Sequence, residues 1–139
     1  MIPDSPPVLT IAQVVTDRSV TEIIYGNSNK TYTFPPTITT ICQNAFFAKY
    51  DLISVRLNEG LEALKDSCLS DSGITQLVLP SSVKYICDSA FCRCNHLEYA
   101  DLSAARSLRI LGKKVFMSCW RLRHILLNEG LETIGEKCF

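Results

Sequence analysis

Apolar positions in this chain recur at a nearly constant period. With Phe34, Leu57, Leu79, Leu102 and Leu127 as phase markers, the steps from one to the next are 23, 22, 23 and 25. Two aliphatics follow four and seven places after each marker: Ile38 and Ile41, Leu61 and Leu64, Val83 and Ile86, Leu131 and Ile134. The fourth unit reaches Leu108 and Leu111 two places late, which puts a two-residue insertion within residues 103–107. A small-then-large pair comes next: Ala45-Phe46, Cys68-Leu69, Ala90-Phe91, Val115-Phe116 and Cys138-Phe139. Six places beyond the large one, or five in the second unit, stands a triplet spaced three and two: Leu52-Val55-Leu57, Ile74-Leu77-Leu79, Leu97-Ala100-Leu102 and Leu122-Ile125-Leu127. Its last member is the next marker. The hexapeptide starting at Leu57 (Leu-Asn-Glu-Gly-Leu-Glu) returns unchanged at Leu127, three units on.

One such unit buries too little apolar surface to fold alone, whereas stacked units share a continuous core. The alternation that closes each triplet has period two, as in a strand with one buried face, so these segments are expected to stack as a parallel sheet. The aliphatics at four and seven and the small-large pair follow helix-like spacing in runs too short for more than a turn or two. The expected architecture is thus an α/β repeat solenoid, with a parallel β-sheet on one face and short helical or 3-10 turns on the other. Pro35 and Pro80 follow their markers, where a missing N–H ends pairing. Residues 34–139 make four full units and a partial fifth. Residues 1–33 form an N-terminal segment, in which Val20-Ile23-Tyr25 and the turn signal Gly26-Asn27-Ser28-Asn29 suggest a capping hairpin. The chain stops at Phe139, before the fifth unit's own strand, as a truncated fragment of a longer repeat protein would.

The stretch from Leu79 to Leu97, reading LPSSVKYICDSAFCRCNHL, resembles the repeat of the BspA-like leucine-rich-repeat proteins, also called the TpLRR class. The likeness covers residues 34–139. Cys94 and Cys119 sit where that repeat carries a cysteine three places after its phenylalanine, and Lys49 and Ser72 depart from it. The resemblance implies a non-enzymatic protein-binding module, most naturally a surface adhesion or recognition protein that holds another protein or a matrix macromolecule. The alternative function is an intracellular protein-protein interaction scaffold.

Composition narrows the picture without changing it. Lys plus Arg and Asp plus Glu stand at 14 each, so no surplus charge draws the chain toward nucleic acid. No apolar run approaches the ~18 residues needed to cross a bilayer, so membrane insertion is not expected. An acid, Asp4, stands where a secretory signal carries a base. That feature and an odd count of seven cysteines point to the cytoplasm, against the cell-surface location the resemblance implies.

Cys87, Cys92, Cys94 and His96 are the densest cluster of metal-ligand types, but Cys-x-Cys is not a zinc spacing and the repeat columns account for them. No cofactor and no metal is expected. A cysteine nucleophile partnered by His96 or His124, paired catalytic carboxylates and a phosphate loop all lack the spacing their chemistry needs, so no catalytic residue is assigned. Among cysteines, Cys94 and Cys119 alone occupy one column on adjacent units, close enough for a disulfide if the chain is exported. Residues flanking the buried strand positions point outward: Ser54 and Arg56, Gln76 and Val78, Tyr99 and Asp101, His124 and Leu126. From this strip Arg56, Val78, Tyr99, Asp101, His124 and Leu126 are the candidate binding residues, because rigid repeat faces suit macromolecular partners.

Overall fold

A computed structural model describes residues 31–34 and 36–139. The expected hairpin and Pro35 lie outside the described residues. Each coil contributes two short strands. Along the first face run β1 (Thr31–Thr33), β3 (Ser54–Arg56), β5 (Gln76–Val78), β7 (Tyr99–Asp101) and β9 (His124–Leu126). Along a second face run β2 (Thr40–Ile41), β4 (Ala63–Leu64), β6 (Tyr85–Ile86), β8 (Ile110–Leu111) and β10 (Thr133–Ile134). All pairings are parallel, and the three sheets run in the orders β1-β3, β5-β7-β9 and β2-β4-β6-β8-β10.

The expected helical or 3-10 wall is corrected: among the described residues no helix occurs. The aliphatic seven places after each marker lies instead in a strand of the second sheet. The small-large pair sits in a chain of tight turns, such as Ala45 N–H to Cys42 O (3.1 Å), Phe47 N–H to Asn44 O (3.2 Å) and Lys49 N–H to Phe46 O (3.3 Å). Three-residue hydrogen-bond steps give helix-like spacing, which explains why the pattern misleads. A left-handed residue in alternate turns, here Asn44 (φ 60°) and Ala48 (φ 60°), turns the path into a zigzag. Ser67 and Asp71, then Ser89 and Arg93, then Lys114 and Ser118 repeat the device with non-glycine residues, which seldom adopt this region. The zigzag aims N–H groups at the next coil: Asn44, Phe46 and Ala48 donate to the Asp66, Cys68 and Ser70 carbonyls at 3.1, 2.8 and 2.9 Å. Those bonds offset a left-handed cost of roughly 1–2 kcal/mol per residue.

Between the walls lies one continuous core. Phe46, Leu69, Phe91 and Phe116 form its central column, all with 2% exposure or less. Phe91 and Phe116 stack nearly parallel (centroids 5.6 Å, 8°), as do Phe116 and Phe139 (5.7 Å, 13°). Tyr32, Phe34 and Phe46 pack edge-on and tilted at the N-terminal end of the described core. Each full burial of such a side chain stabilises by ~1.5–3 kcal/mol relative to exposure. Two of the expected triplets are core throughout, Ile74, Leu77 and Leu79 in one coil and Leu97, Ala100 and Leu102 in the next; Val55, Leu57, Leu122 and Ile125 of the other two are partly buried, and Leu127 is 42% exposed.

Candidate functional site

The alternation of each triplet fixes which side chains face out. Because Leu77, Ala100 and Ile125 turn inward in register, their neighbours line up as two outward columns. Val78, Asp101 and Leu126 form one; Gln76, Tyr99 and His124 form the other. Val78 and Leu126 are 57% and 47% exposed, an unusual surplus of apolar surface on strands facing solvent.

Asp101 sits between those two apolar side chains and is held in place. Its carboxylate accepts from the Ser103 hydroxyl (2.6 Å), the Ser103 N–H (2.9 Å) and the Tyr99 hydroxyl (3.4 Å). The Ser103 hydroxyl first, then its N–H, pull the Asp101 carboxyl below its ordinary value, slightly opposed by burial. The strip therefore offers a fixed negative charge flanked by apolar contacts and by the hydrogen-bonding groups of Gln76, Tyr99 and His124.

Five of the six candidate residues are thus brought together on β5, β7 and β9. Arg56 is set apart on the β1-β3 sheet, exposed beside Thr33 in register. The backbone bonds that join the two coils here are Thr75 N–H to Ile53 O at 3.1 Å and, at the bend before it, Gly73 N–H to Lys49 O at 3.4 Å. The second unit is one residue short, and Gly73 lies so tight against the preceding coil that an added Cβ would collide with the Tyr50 carbonyl oxygen.

Cys94 and Cys119 do occupy one column, and every cysteine is a free thiol. Each thiol donates to the carbonyl of the large residue one coil earlier, Cys94 to Leu69 O and Cys119 to Phe91 O, both at 3.1 Å. Ser72 occupies the same column, its hydroxyl 3.5 Å from the Cys94 sulfur. The column thus satisfies buried carbonyls. Its closeness to the Cys94 sulfur, then burial, push the Cys119 thiol far up. Burial likewise raises Cys68, Cys87, Cys92 and Cys138. The Cys87-to-His96 cluster is dispersed: Cys92 and Cys94 are buried, Cys87 is half-buried and His96 exposed. Among the described residues no three His, Cys, Asp or Glu side chains come together as a metal-binding group.

Sequence reasoning missed a pair of buried amides. Asn58 and Asn128, each one place after its marker, are 9% and 5% exposed. Their Nδ2 groups donate to the Ile38 and Leu108 carbonyls of the preceding coil at 2.9 and 2.6 Å. The identical hexapeptides that contain them were the available signal. It also missed Tyr85 and Ile110, 61% and 56% exposed on the second sheet.

Known proteins share this architecture. The model of the BspA type leucine rich repeat region matches residues 20–139, in six copies. A leucine-rich repeat protein from Bacteroides ovatus ATCC 8483 is similar in fold, with a TM-score of 0.59 at 21% identity over 78% of this chain. This chain spans 34% of the length of that protein. The T. pallidum leucine rich repeat protein (TpLRR) matches with a TM-score of 0.49 at 18% identity, covering 80% of this chain and 75% of that one. No curated protein matches. Since the family model takes in well over half of the chain, this protein belongs to the BspA-type leucine-rich-repeat family.

Proposed function

We propose that this protein is a binding module at the cell surface that captures another protein or a matrix macromolecule on the β5-β7-β9 strip. The observation that carries this reading is the pair of outward columns, in which exposed Val78 and Leu126 flank a pinned Asp101 beside Tyr99 and His124. Two exposed aliphatics on a rigid parallel sheet, with a fixed charge and hydrogen-bonding groups beside them, offer both the apolar contact and the polar anchors that protein interfaces combine. Tyr99 is of a type that often dominates interface energy. No step of chemistry is asked of these residues.

The test is binding of the purified protein to immobilised extracellular-matrix proteins, beside a Tyr99→Ala/Leu126→Ala variant with an unchanged melting midpoint. Saturable binding that the variant loses by about tenfold or more supports the site, and equal binding by both overturns it. Location is tested separately. Protease added to intact source cells should degrade the protein while a cytosolic marker survives; protection until lysis would favour an intracellular scaffold. On exported chains, the oxidised thiol pool outside the cell should join Cys94 to Cys119, read by mass spectrometry of unreduced protein.

A further inference from the structure

The second sheet contains an opening of its own. At β2-β4 and at β8-β10 two residues pair in register, but between β6 and β8 only Ile86 and Leu111 do. Elsewhere in this sheet the residue before the strand accepts two N–H bonds from the next coil. Glu62 and Ala63 donate to Thr39 O, Lys84 and Tyr85 to Glu62 O, and Glu132 and Thr133 to Arg109 O, all at 2.8–3.1 Å. Among the described residues no such bond runs from Arg109 or Ile110 to the Lys84 carbonyl. The cause is the two-residue insertion of the fourth unit, which puts two successive turns, Leu102 to Ala105 and Ala105 to Leu108, where other units have one.

The parted seam is a notch of about 340 Å³ walled by Tyr85, Ile110, Cys87, Ser107 and the stems of Lys84 and Arg109. Its walls are chiefly apolar, and its charges cancel: Lys84 pairs with Glu62 at 3.7 Å and Arg109 with Glu132. An anionic ligand therefore finds no surplus cation. The rim instead offers a backbone acceptor, the Lys84 carbonyl, and a pair of backbone donors, the Arg109 and Ile110 N–H groups, whose counterparts bond each other in the regular coils. A single extended peptide unit, with an N–H and a C=O of its own, complements both. The volume, at the low end for ligand pockets, suits one bulky side chain.

We propose that this notch is a second binding site, separate from the β5-β7-β9 strip, which takes one bulky apolar side chain from an extended segment of a partner protein. The segment's N–H bonds the Lys84 carbonyl and its carbonyl accepts from the Ile110 N–H. The experiment is an amide-resolved NMR titration with three blocked tripeptides: acetyl-Thr-Leu-Thr-amide, its alanine-centred analogue, and the form methylated on the leucine nitrogen. Saturable shifts at Tyr85 and Ile110 are expected at millimolar leucine peptide, weakened about tenfold by either change. A Tyr85→Ala/Ile110→Thr variant, altering only exposed side chains, should lose the response while remaining folded. No saturable shift, equal response to all three peptides, or shifts confined to the strip would each overturn the proposal.

Discussion

The second and fourth units both depart in length from their neighbours, and the chain absorbs the two departures differently. The second loses one residue at the bend before its strand. Gly73 closes the gap by pressing against the Tyr50 and Leu52 carbonyls, and the first-face sheet parts between β3 and β5. The fourth gains two residues after its strand. Ala105 fills the extra turn and is fully buried, and the second sheet opens between β6 and β8. A shortage is thus met with contact and an excess with a cavity, while the central core column runs on past both. Backbone ladders yield to length changes more readily than the packed column does, because each ladder bond nets only ~0.5–1.5 kcal/mol.

That ordering can be broken first at the column. Phe91→Ala, in the regular third unit and stacked on Phe116, should cost ~3–5 kcal/mol in chemical denaturation. Next comes Gly73→Ala, whose Cβ would run into the Tyr50 carbonyl oxygen and sit 3.0 Å from that of Leu52. Backbone atoms cannot rotate away, so a loss of ~1–3 kcal/mol is expected from the overpacking. If Gly73→Ala is the more damaging of the two, the tight bend rather than the column holds the second unit.

Ala105→Gly comes third. It removes a buried methyl, worth ~0.8 kcal/mol, and adds ~0.5–1 kcal/mol of unfolded-chain freedom. The same denaturation should therefore register a combined loss of ~1.5 kcal/mol. No change would show that the inserted turn packs on nothing. Arg93→Ala should cost under ~1 kcal/mol. Its guanidinium grips Asp71 at 2.7–3.1 Å across the outer wall, but the Arg93 side chain is half exposed and solvent screens the pair. A larger loss would mean that this ion pair compensates for the broken sheet beside the shortened unit.

The coil period, the core columns and the outward strip were legible because each rests on spacing alone, and spacing survives in a sequence. Both length departures were legible too, at Ile74 and Leu108. Their consequences were not. Nothing in Lys84 or Arg109 announces a broken hydrogen bond between coils, since backbone groups carry no letter. The outer wall was misread because hydrogen-bond steps of three imitate a helix, and only the left-handed Asn44, Ser67 and Ser89 betray the zigzag. Asparagine and serine suit such turns, so their recurrence two places before the large residue was the sign. The separation of Arg56 from Tyr99 followed from one missing residue that simple alternation does not weigh.

The smallest effect expected links the insertion to the strip. Asp101 lies on β7, and Ser103, at the start of the inserted stretch, holds its carboxylate by hydroxyl and N–H. Those bonds lower the Asp101 carboxyl from its ordinary 3.8, so the folded chain takes up its proton at lower pH than the unfolded chain does. The stabilisation is therefore complete above the unfolded value and lost as pH falls through the folded one. Ser103→Ala removes the larger cause and leaves the N–H. The carboxyl midpoint, followed by NMR, should rise part of the way toward the ordinary value, with no measurable change in melting at neutral pH for so exposed a group. An unmoved midpoint would mean that the charge on the candidate strip is set by β7 alone, and that the fourth unit's extra residues shape only the notch on the other face.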